Sequence, residues 1–218
     1  MKRTEQTNQI LDELHNYFID VEKRQIYLNG IENADSPALI TPEIANKFVR
    51  NFLFLQNQSS DKIVIHINSD GGDFMSGMMI YDVIKNSPCQ VIIICHGYCM
   101  STATIILQAA DERIAMPNTL FMIHEGEQNV SGTHKQANSW LATMQVLKQK
   151  MMNIYVERCS KGAHFTSKQS NKNKIKSYLS TTINRKEDWY MTAEEALNYG
   201  FIDTILGTKY KDLNKIVS

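Results

Sequence analysis

A serine occupies an unusual position between two apolar segments of the chain. The apolar run at residues 91–95 is followed by Gly97 and Ser101, after which the sequence becomes apolar again through Leu107. A strand that leaves the core through a glycine and enters a helix at Ser101 presents the hydroxyl beside unpaired N–H groups, where negative charge is favoured. This hydroxyl could cap the helix, as serine often does, or act as a nucleophile.

Two further groups that could take part in acyl transfer follow other apolar runs. His124 comes directly after residues 120–123, and the glycines Gly71 and Gly72 follow residues 62–67. A histidine can act as a general base, and a glycine pair lets the backbone turn tightly and aim N–H groups outward. Taken singly, these features fit a structural histidine and an ordinary strand-to-helix turn. Together with the serine they supply a nucleophile, a general base and oxyanion donors.

Short β-rich runs alternate with helical patterns along the chain. Strands are predicted at residues 25–28, 62–67, 90–95, 113–115 and 120–123. Helices are predicted between them, at residues 41–55, 74–86 and 101–110. Near-continuous apolar strands that alternate with helices indicate an α/β fold with a parallel sheet covered by helices. Because sites in such sheets form at the carboxyl ends of the strands, the serine, the histidine and the glycine pair are expected at one edge.

The composition limits the class of protein. With 218 residues, of which 43% are hydrophobic, the chain is expected to form a single domain over residues 1–218. Lysine plus arginine and aspartate plus glutamate number 23 each, so the overall charge indicates neither a nucleic acid nor a membrane partner. No secretory signal or membrane-spanning run is evident, which predicts a cytoplasmic protein. The four cysteines lack paired spacing, so no metal site and no disulfide framework are expected.

Five motifs occur in the order and spacing of a known family. They are Asn68-Ser-Asp-Gly-Gly, Gly77 leading into Ile80-Tyr-Asp82, Gly97-x-x-x-Ser101, Met116-Pro-Asn-x-x-x-Met-Ile-His124, and a closing segment at residues 188–206. Over residues 24–206 the sequence resembles the proteolytic subunit of the caseinolytic (Clp) protease. This resemblance implies a ClpP/crotonase-type superhelix of ββα units with a protruding handle helix. It also implies a serine endopeptidase that cleaves unfolded polypeptides inside an oligomeric chamber, without a metal or an organic cofactor.

The resemblance implies roles for individual residues. Ser101 is the expected nucleophile and His124 the expected general base, with the backbone N–H groups of Gly72 and Thr102 as oxyanion donors. The residues expected to line the substrate groove are Gly71, Asp73, Phe74 and Gly126. In this mechanism the histidine takes the serine proton as the hydroxyl attacks a peptide carbonyl.

The third member of the triad is where the sequence departs from the family pattern. Counting back four residues from Asp188, the first residue of the closing segment, places Asn184 where the family has its aspartate. We therefore predict a Ser-His-Asn triad, in which the Asn184 carbonyl oxygen accepts a hydrogen bond from His124. A slow but active enzyme is expected, because a neutral acceptor stabilises an imidazolium less than a carboxylate does. The alternative is that Asp188 supports His124 and Asn184 takes no part.

A long segment without proline is expected to mediate assembly. Within residues 133–159 an apolar stripe recurs every 3.5 residues on average, at Trp140, Met144, Leu147, Met151 and Ile154. On sequence alone, the stripe fits either the core of one subunit or an interface. The resemblance places a handle region at residues 125–159, with an adjoining strand at 127–130. It implies a homo-oligomer of stacked heptameric rings, a tetradecamer.

Two segments differ from the family. Residues 1–23 show only slight likeness to the family's axial-gate segment, so docking of an AAA+ unfoldase is left open. Residues 160–183 form a longer connection with five lysines and no acidic residue, and we predict a solvated, mobile surface loop there.

Three other functions are compatible with the sequence. A noncatalytic ring subunit would fit an amide at position 184. A maturation protease of virus type on the same fold would fit the divergent amino-terminal segment. A crotonase-like acyl-CoA enzyme would share the fold and use paired backbone amides, but it would not require both Ser101 and His124.

Overall fold

A mixed sheet forms the centre of this computed structural model, which describes residues 5–29, 39–126, 130–207 and 216. Its strands are β1 (Ile19–Asp20), β2 (Gln25–Asn29), β4 (Ile63–Ser69), β6 (Val91–Met100), β7 (Glu112–Ala115), β8 (Leu120–Ile123), β9 (Trp189–Met191) and β10 (Thr204–Ile205). A separate pair joins β3 (Leu39–Ile40) to β5 (Gly71–Gly72). The helices are α1 (Glu5–Asp12), α2 (Pro42–Gln58), α3 (Phe74–Lys85), α4 (Thr102–Leu107), α5 (His134–Cys159), α6 (Ala163–Thr166), α7 (Lys172–Lys186) and α8 (Ala193–Tyr199).

The strands that carry the predicted site residues run parallel. The sheet order is β1-β2-β4-β6-β7-β10, and along it every pair except β1 with β2 is parallel. The carboxyl half of β6 leaves β7 and pairs with β8, which in turn pairs antiparallel with β9. Gly97, with a φ of 52°, stands at this fork. The predicted α/β fold with a parallel sheet is confirmed.

The sheet is buried on both faces, because alternate residues of a strand point to opposite sides. On one side, strand residues join the helices in one large core, and among them are Ile63, Ile65, Ile67, Val91 and Ile93. The other side holds a smaller apolar cluster of Val64, Ile92, Ile94, Ile114 and Leu206. Burial on both faces explains why these strands read as unbroken apolar runs in the sequence.

The predicted strands and helices are present, with shifted ends. β4 continues to Ser69 and β6 to Met100, beyond the predicted ends at 67 and 95, because strand pairing continues past the apolar runs. α2 begins at Pro42 with Thr41 as its cap. α4 covers only Thr102–Leu107 and is shorter than predicted.

The long helix α5 has an exposed half and a buried half. Trp140, Leu141 and Val146, in its amino-terminal half, are 47%, 45% and 57% exposed. The carboxyl-terminal half buries Met151, Met152, Tyr155, Val156 and Cys159. The predicted apolar stripe therefore belongs to the core of the subunit at Met151 and to an exposed surface at Trp140. Residues 127–129 of the predicted adjoining strand lie outside the described part of the chain.

The prediction of a surface loop at residues 160–183 is wrong. This segment forms α6 and most of α7, whose first turn is capped by the Asn171 side chain. Ile175, Leu179 and Ile183 are buried at helical spacing, and α7 packs against α5. The lysines of the segment are mainly exposed. Because they dominate its composition, the helical spacing of the buried apolar residues was not recognised in the sequence.

The amino-terminal segment is anchored to α2. A π-helical turn, Glu13–Tyr17, follows α1 and leads into β1. Lys47 Nζ donates to the Asn16 carbonyl at 3.2 Å, and Asn51 Nδ2 donates to the Tyr17 carbonyl at 2.7 Å. In the described part of the chain, no helix combines the length and the apolar character needed to cross a membrane.

Candidate active site

Ser101 lies at the junction of β6 and α4 in a strained backbone conformation. Its φ of 50° and ψ of −123° are unusual for a residue other than glycine. The Ser101 N–H donates to the Met122 carbonyl at 2.7 Å, which ties the junction to β8. Within the described residues the hydroxyl makes no capping bond to α4, and Oγ lies 2.7 Å from His124 Nε2. The geometry therefore argues against the capping interpretation, and strained residues of this kind cluster at functional sites.

Gly71 allows two backbone segments to meet beside the serine. A Cβ built on Gly71 would lie 2.6 Å from the Ser101 Cβ and 3.0 Å from the Thr102 nitrogen. Gly71 also has a φ of 99°, which L side chains rarely adopt. The turn after β4 can approach the end of β6 this closely only because residue 71 has no side chain.

His124 connects the serine to a carboxylate. It follows the last residue of β8, beside the carboxyl end of β6, since Met100 pairs with Met122 in parallel register. His124 Nε2 faces Ser101 Oγ at 2.7 Å, and Nδ1 faces Asp188 Oδ1 at 3.1 Å. When the Nδ1–H donates to the carboxylate, Nε2 is left as an acceptor for the serine hydroxyl.

Asp188, and not Asn184, is the partner of His124 in the structure. β9 pairs antiparallel with β8, and Ile123 is opposite Trp189, so the residue after Ile123 meets the residue before Trp189. Asn184 lies four residues earlier, in the last turn of α7. The hydrogen bond predicted from His124 to Asn184 is thus replaced by one to a carboxylate. The alternative in which Asp188 supports His124 matches this geometry.

The two predicted oxyanion donors lie on adjacent segments. Gly72 ends β5, and Thr102 begins α4, so the Thr102 N–H belongs to the first turn of a helix. The Thr102 hydroxyl donates to the Gly72 carbonyl at 2.9 Å and joins the two segments. The structure therefore brings both residues to the neighbourhood of Ser101.

Comparison with known proteins shows the family of this chain. A model of the Clp protease family matches residues 36–209. Over 182 residues the chain is 31% identical to the ATP-dependent Clp protease proteolytic subunit 2 of Chlamydia pneumoniae, covering 82% of each chain. It is 29% identical over 182 residues to the protein of the same name from Chlamydia trachomatis serovar D, again covering 82% of each chain. The chain belongs to the Clp protease family.

Membership of the Clp protease family accounts for the fold and for the general class of activity, that of a peptidase. The α/β architecture is of the family's type, and the chain is a ClpP-like peptidase. The family match includes β3 through β10, and with them every residue of the candidate site. The divergent segment at residues 1–23 lies outside the match.

The cleft beside the candidate triad of this Clp family member is built partly from the end of α7. Its lining residues are His124, Glu125, Gly126, Ile183, Asn184, Glu187 and Asp188. Gly126 faces open space, because nothing lies within 4 Å of a Cβ built there. Asn184 is therefore a wall residue of the cleft. Among the described residues, no three histidine, cysteine, aspartate or glutamate side chains lie close enough to hold a metal ion.

The other predicted groove residues have mainly structural contacts. Asp73 caps α3, and its carboxylate accepts hydrogen bonds from the Ser76 N–H at 2.7 Å and the Ser76 hydroxyl at 2.6 Å. Phe74, the first residue of α3, is half-buried and packs against the core. Gly71 is buried against Ser101. Of the four predicted groove residues, Asp73 and Gly126 are exposed, so their place in a substrate groove stays a prediction.

The sequence analysis did not identify the residues that hold the Ser101 backbone through hydrogen bonds. Thr104 Oγ1 donates to the Ser101 carbonyl at 2.6 Å, and the Tyr155 hydroxyl lies 2.7 Å from the same Thr104 oxygen. Burial raises the pKa of Tyr155 above its ordinary value, so its hydroxyl stays a neutral donor. The available signal was a second threonine hydroxyl, two residues after Thr102, in a helix whose other residues are apolar.

A second contact from α5 reaches the other side of the site. Lys148 forms an ion pair with Glu125, the residue directly after His124. The two side chains are 26% and 30% exposed. Tyr155, in the buried half of α5, thus supports Ser101 through Thr104. Lys148, in the middle of the same helix, contacts Glu125, the residue after His124.

Proposed function

We propose that this Clp family member is a serine endopeptidase that uses Ser101, His124 and Asp188. The observation that carries the proposal is the chain of hydrogen bonds from Ser101 Oγ, through the His124 ring, to Asp188 Oδ1. This is the arrangement in which a histidine removes the serine proton and a carboxylate orients the histidine.

The proposed reaction begins when Ser101 Oγ attacks a peptide carbonyl and His124 Nε2 takes the hydroxyl proton. Asp188 holds the Nδ1 proton and stabilises the imidazolium that forms. The N–H groups of Gly72 and Thr102 stabilise the oxyanion of the tetrahedral intermediate. His124 then protonates the leaving amine as the peptide bond breaks. Water, activated by His124, attacks the acyl-enzyme, releases the new carboxyl terminus and restores the serine.

The proposed substrate is an extended polypeptide. The cleft is open and mainly polar, and Gly126 leaves space along one wall. A chain that lies between Gly126 and the glycine pair can hydrogen bond to the protein backbone as an added strand does. Such contacts involve the backbone of the substrate rather than its side chains, so an unfolded segment of almost any sequence would fit.

A noncatalytic ring subunit is the weaker alternative. It depended on an amide at position 184 as the third member of the triad. Since the Asp188 carboxylate occupies that place beside His124, the amide gives no reason to expect an inactive site.

Hydrolysis of short fluorogenic peptides and of a reduced, alkylated protein tests the proposed activity. We expect both to be cleaved, and the same protein in its folded form to remain intact. Mass spectrometry of the products should show new termini within the chain, as an endopeptidase produces. If neither substrate were cleaved by the purified assembly, the endopeptidase proposal would be wrong.

We propose that the exposed half of α5 joins subunits to one another. The relatives described above are named as subunits of an ATP-dependent protease. Trp140, Leu141 and Val146 are large apolar side chains exposed on one helix, and such patches mark interaction surfaces. By similarity we extend the proposal to stacked heptameric rings that work with an AAA+ unfoldase in the cytoplasm.

Replacing both Leu141 and Val146 with lysine is expected to split the assembly into single rings or smaller species. Two charges would then be buried without partners at the interface, and the free-energy cost of desolvating them exceeds what the two apolar side chains contribute. Analytical ultracentrifugation measures the particle mass, and Asn153→Lys, an exposed position on the same helix, controls for added charge. A double variant with the mass of the wild type would place the interface elsewhere.

A further inference from the structure

The side chain of Thr102 links the two segments that supply the proposed oxyanion donors. Its hydroxyl donates to the Gly72 carbonyl at 2.9 Å, across 30 residues of sequence. Its own backbone N–H is one of the two proposed donors, and Gly72 supplies the other. Thr102 therefore provides one proposed donor through its backbone and, through its side chain, hydrogen bonds to Gly72, which provides the other.

Gly72 is restrained on one side by the pairing of β5 with β3, where it lies opposite Ile40, and the bond from Thr102 adds a restraint at its carbonyl. Its φ is 145°, in a region that side chains rarely enter, and glycine moves among backbone conformations more freely than any other residue. A change in its φ or ψ would turn the Gly72 peptide groups away from the serine. The hydrogen bond to its carbonyl opposes that rotation.

The Thr102 side chain is itself fixed. It is 4% exposed, and as a β-branched residue it has few accessible rotamers. Its methyl group fills the space beside Gly77 of α3, where a built Cβ would lie 2.0 Å from Thr102 Cγ2. With the methyl held there, the hydroxyl has little freedom to leave the Gly72 carbonyl.

From these contacts we propose that Thr102 is a positioning residue for the oxyanion site. Its hydroxyl sets the spacing between the Gly72 and Thr102 N–H groups, and so determines how well they stabilise the tetrahedral intermediate. This inference rests on the proposed serine peptidase function. A misplaced donor should affect the transition state more than the bound substrate, and thus kcat more than KM.

Three variants test the role of the hydroxyl. Thr102→Val removes it with little change of shape, and Thr102→Ser keeps it but removes the methyl. Thr119→Val is the matched control, because the buried Thr119 hydroxyl also donates to a backbone carbonyl at 2.9 Å, that of Cys95. All three retain the backbone N–H at the substituted position.

We expect Thr102→Val to lower kcat about 10- to 100-fold, less than the 10²- to 10³-fold cost of deleting an oxyanion donor outright. KM should stay within about twofold, and the affinity for a peptide boronic acid, whose tetrahedral adduct places an oxygen at this site, should fall in parallel with kcat. Thr102→Ser should lose less kcat than Thr102→Val, because it keeps the hydroxyl although it lacks the methyl that fixes it. Thr119→Val should keep most of the wild-type kcat. A Thr102→Val enzyme with wild-type kcat and boronate affinity, or a Thr102→Ser enzyme as impaired as Thr102→Val, would overturn the inference.

Hydrogen exchange tests the same restraint without relying on activity. Thr102→Val should speed amide exchange in the peptide that spans residues 69–75, and Thr119→Val should not. Unchanged exchange there would contradict the inference even in an inactive protein. An inactive wild type would contradict the proposed function, whereas an active wild type with an equally active, equally protected valine variant would contradict this inference alone.

Discussion

Asp188→Asn is expected to reduce turnover about 10⁴-fold, the loss known for this exchange in a serine protease triad. The amide can present its NH₂ to the histidine, which favours the tautomer with the proton on Nε2, so the ring no longer accepts the proton of Ser101. The substitution also removes the negative charge that stabilises the imidazolium. Turnover of a fluorogenic peptide by the assembled variant measures the effect.

Asn184→Ala is the matched control for the Asp188 variant. Asn184 lies in the wall of the same cleft, but it takes no part in the hydrogen bond between His124 and Asp188. We expect turnover within about threefold of wild type, as for a substitution that leaves the reacting groups in place. A loss in the Asn184 variant as large as that in the Asp188 variant would restore the asparagine hypothesis.

Ser101→Ala is expected to reduce turnover on the order of 10⁶-fold, as removal of a serine nucleophile does in other proteases. Stability should change little, because the hydroxyl bonds to His124 and the backbone bond to Met122 does not involve it. Peptide turnover, denaturant unfolding and sedimentation should be measured together. Ser177→Ala, at an exposed position of α7, serves as the control.

A Ser101→Ala variant that kept an appreciable fraction of wild-type turnover would exclude this serine as the nucleophile. If the variant instead failed to assemble, Ser101→Cys, which keeps a nucleophilic atom of similar size, would separate the chemical role from the structural one. A correctly assembled cysteine variant that reacts with a thiol-selective alkylating agent at residue 101 would show that this position is accessible and activated.

The parallel sheet was predictable because strands buried on both faces leave a continuous apolar signal. Residues 91–95 and 120–123 are examples, and both were placed correctly as strands. The end of β6 was not predictable in the same way. Its extension past Gly97 depends on pairing with β8, a contact between segments distant in the sequence.

Ser101 and His124 were predictable as a pair because each directly follows a strand at the same edge of the sheet. The choice between Asn184 and Asp188 as the partner of His124 was not, since counting residues within one segment carries no information about pairing between segments. The antiparallel register of β8 and β9 places Asp188 beside His124, and a shift of four residues to Asn184 would break that register.

The segment at residues 160–183 shows how composition can mislead. Five lysines without an acidic residue suggested a solvated loop. Ile175, Leu179 and Ile183 recur at helical spacing after the Asn171 cap, and burial of these side chains outweighs the cost of bringing exposed lysines near one another. The helix they form ends at the cleft, so the error in this segment and the error at Asn184 concern the same element.

Labelling with a fluorophosphonate, followed by peptide mapping, tests the central claim most directly. The reagent phosphonylates a serine only when a neighbouring base activates it, so the labelled residue identifies the nucleophile whatever the natural substrate is. We predict one label per subunit, on Ser101, and a much slower reaction in the Asp188→Asn variant. No labelling of the assembled wild-type protein, or labelling at a serine other than Ser101, would contradict the proposed triad.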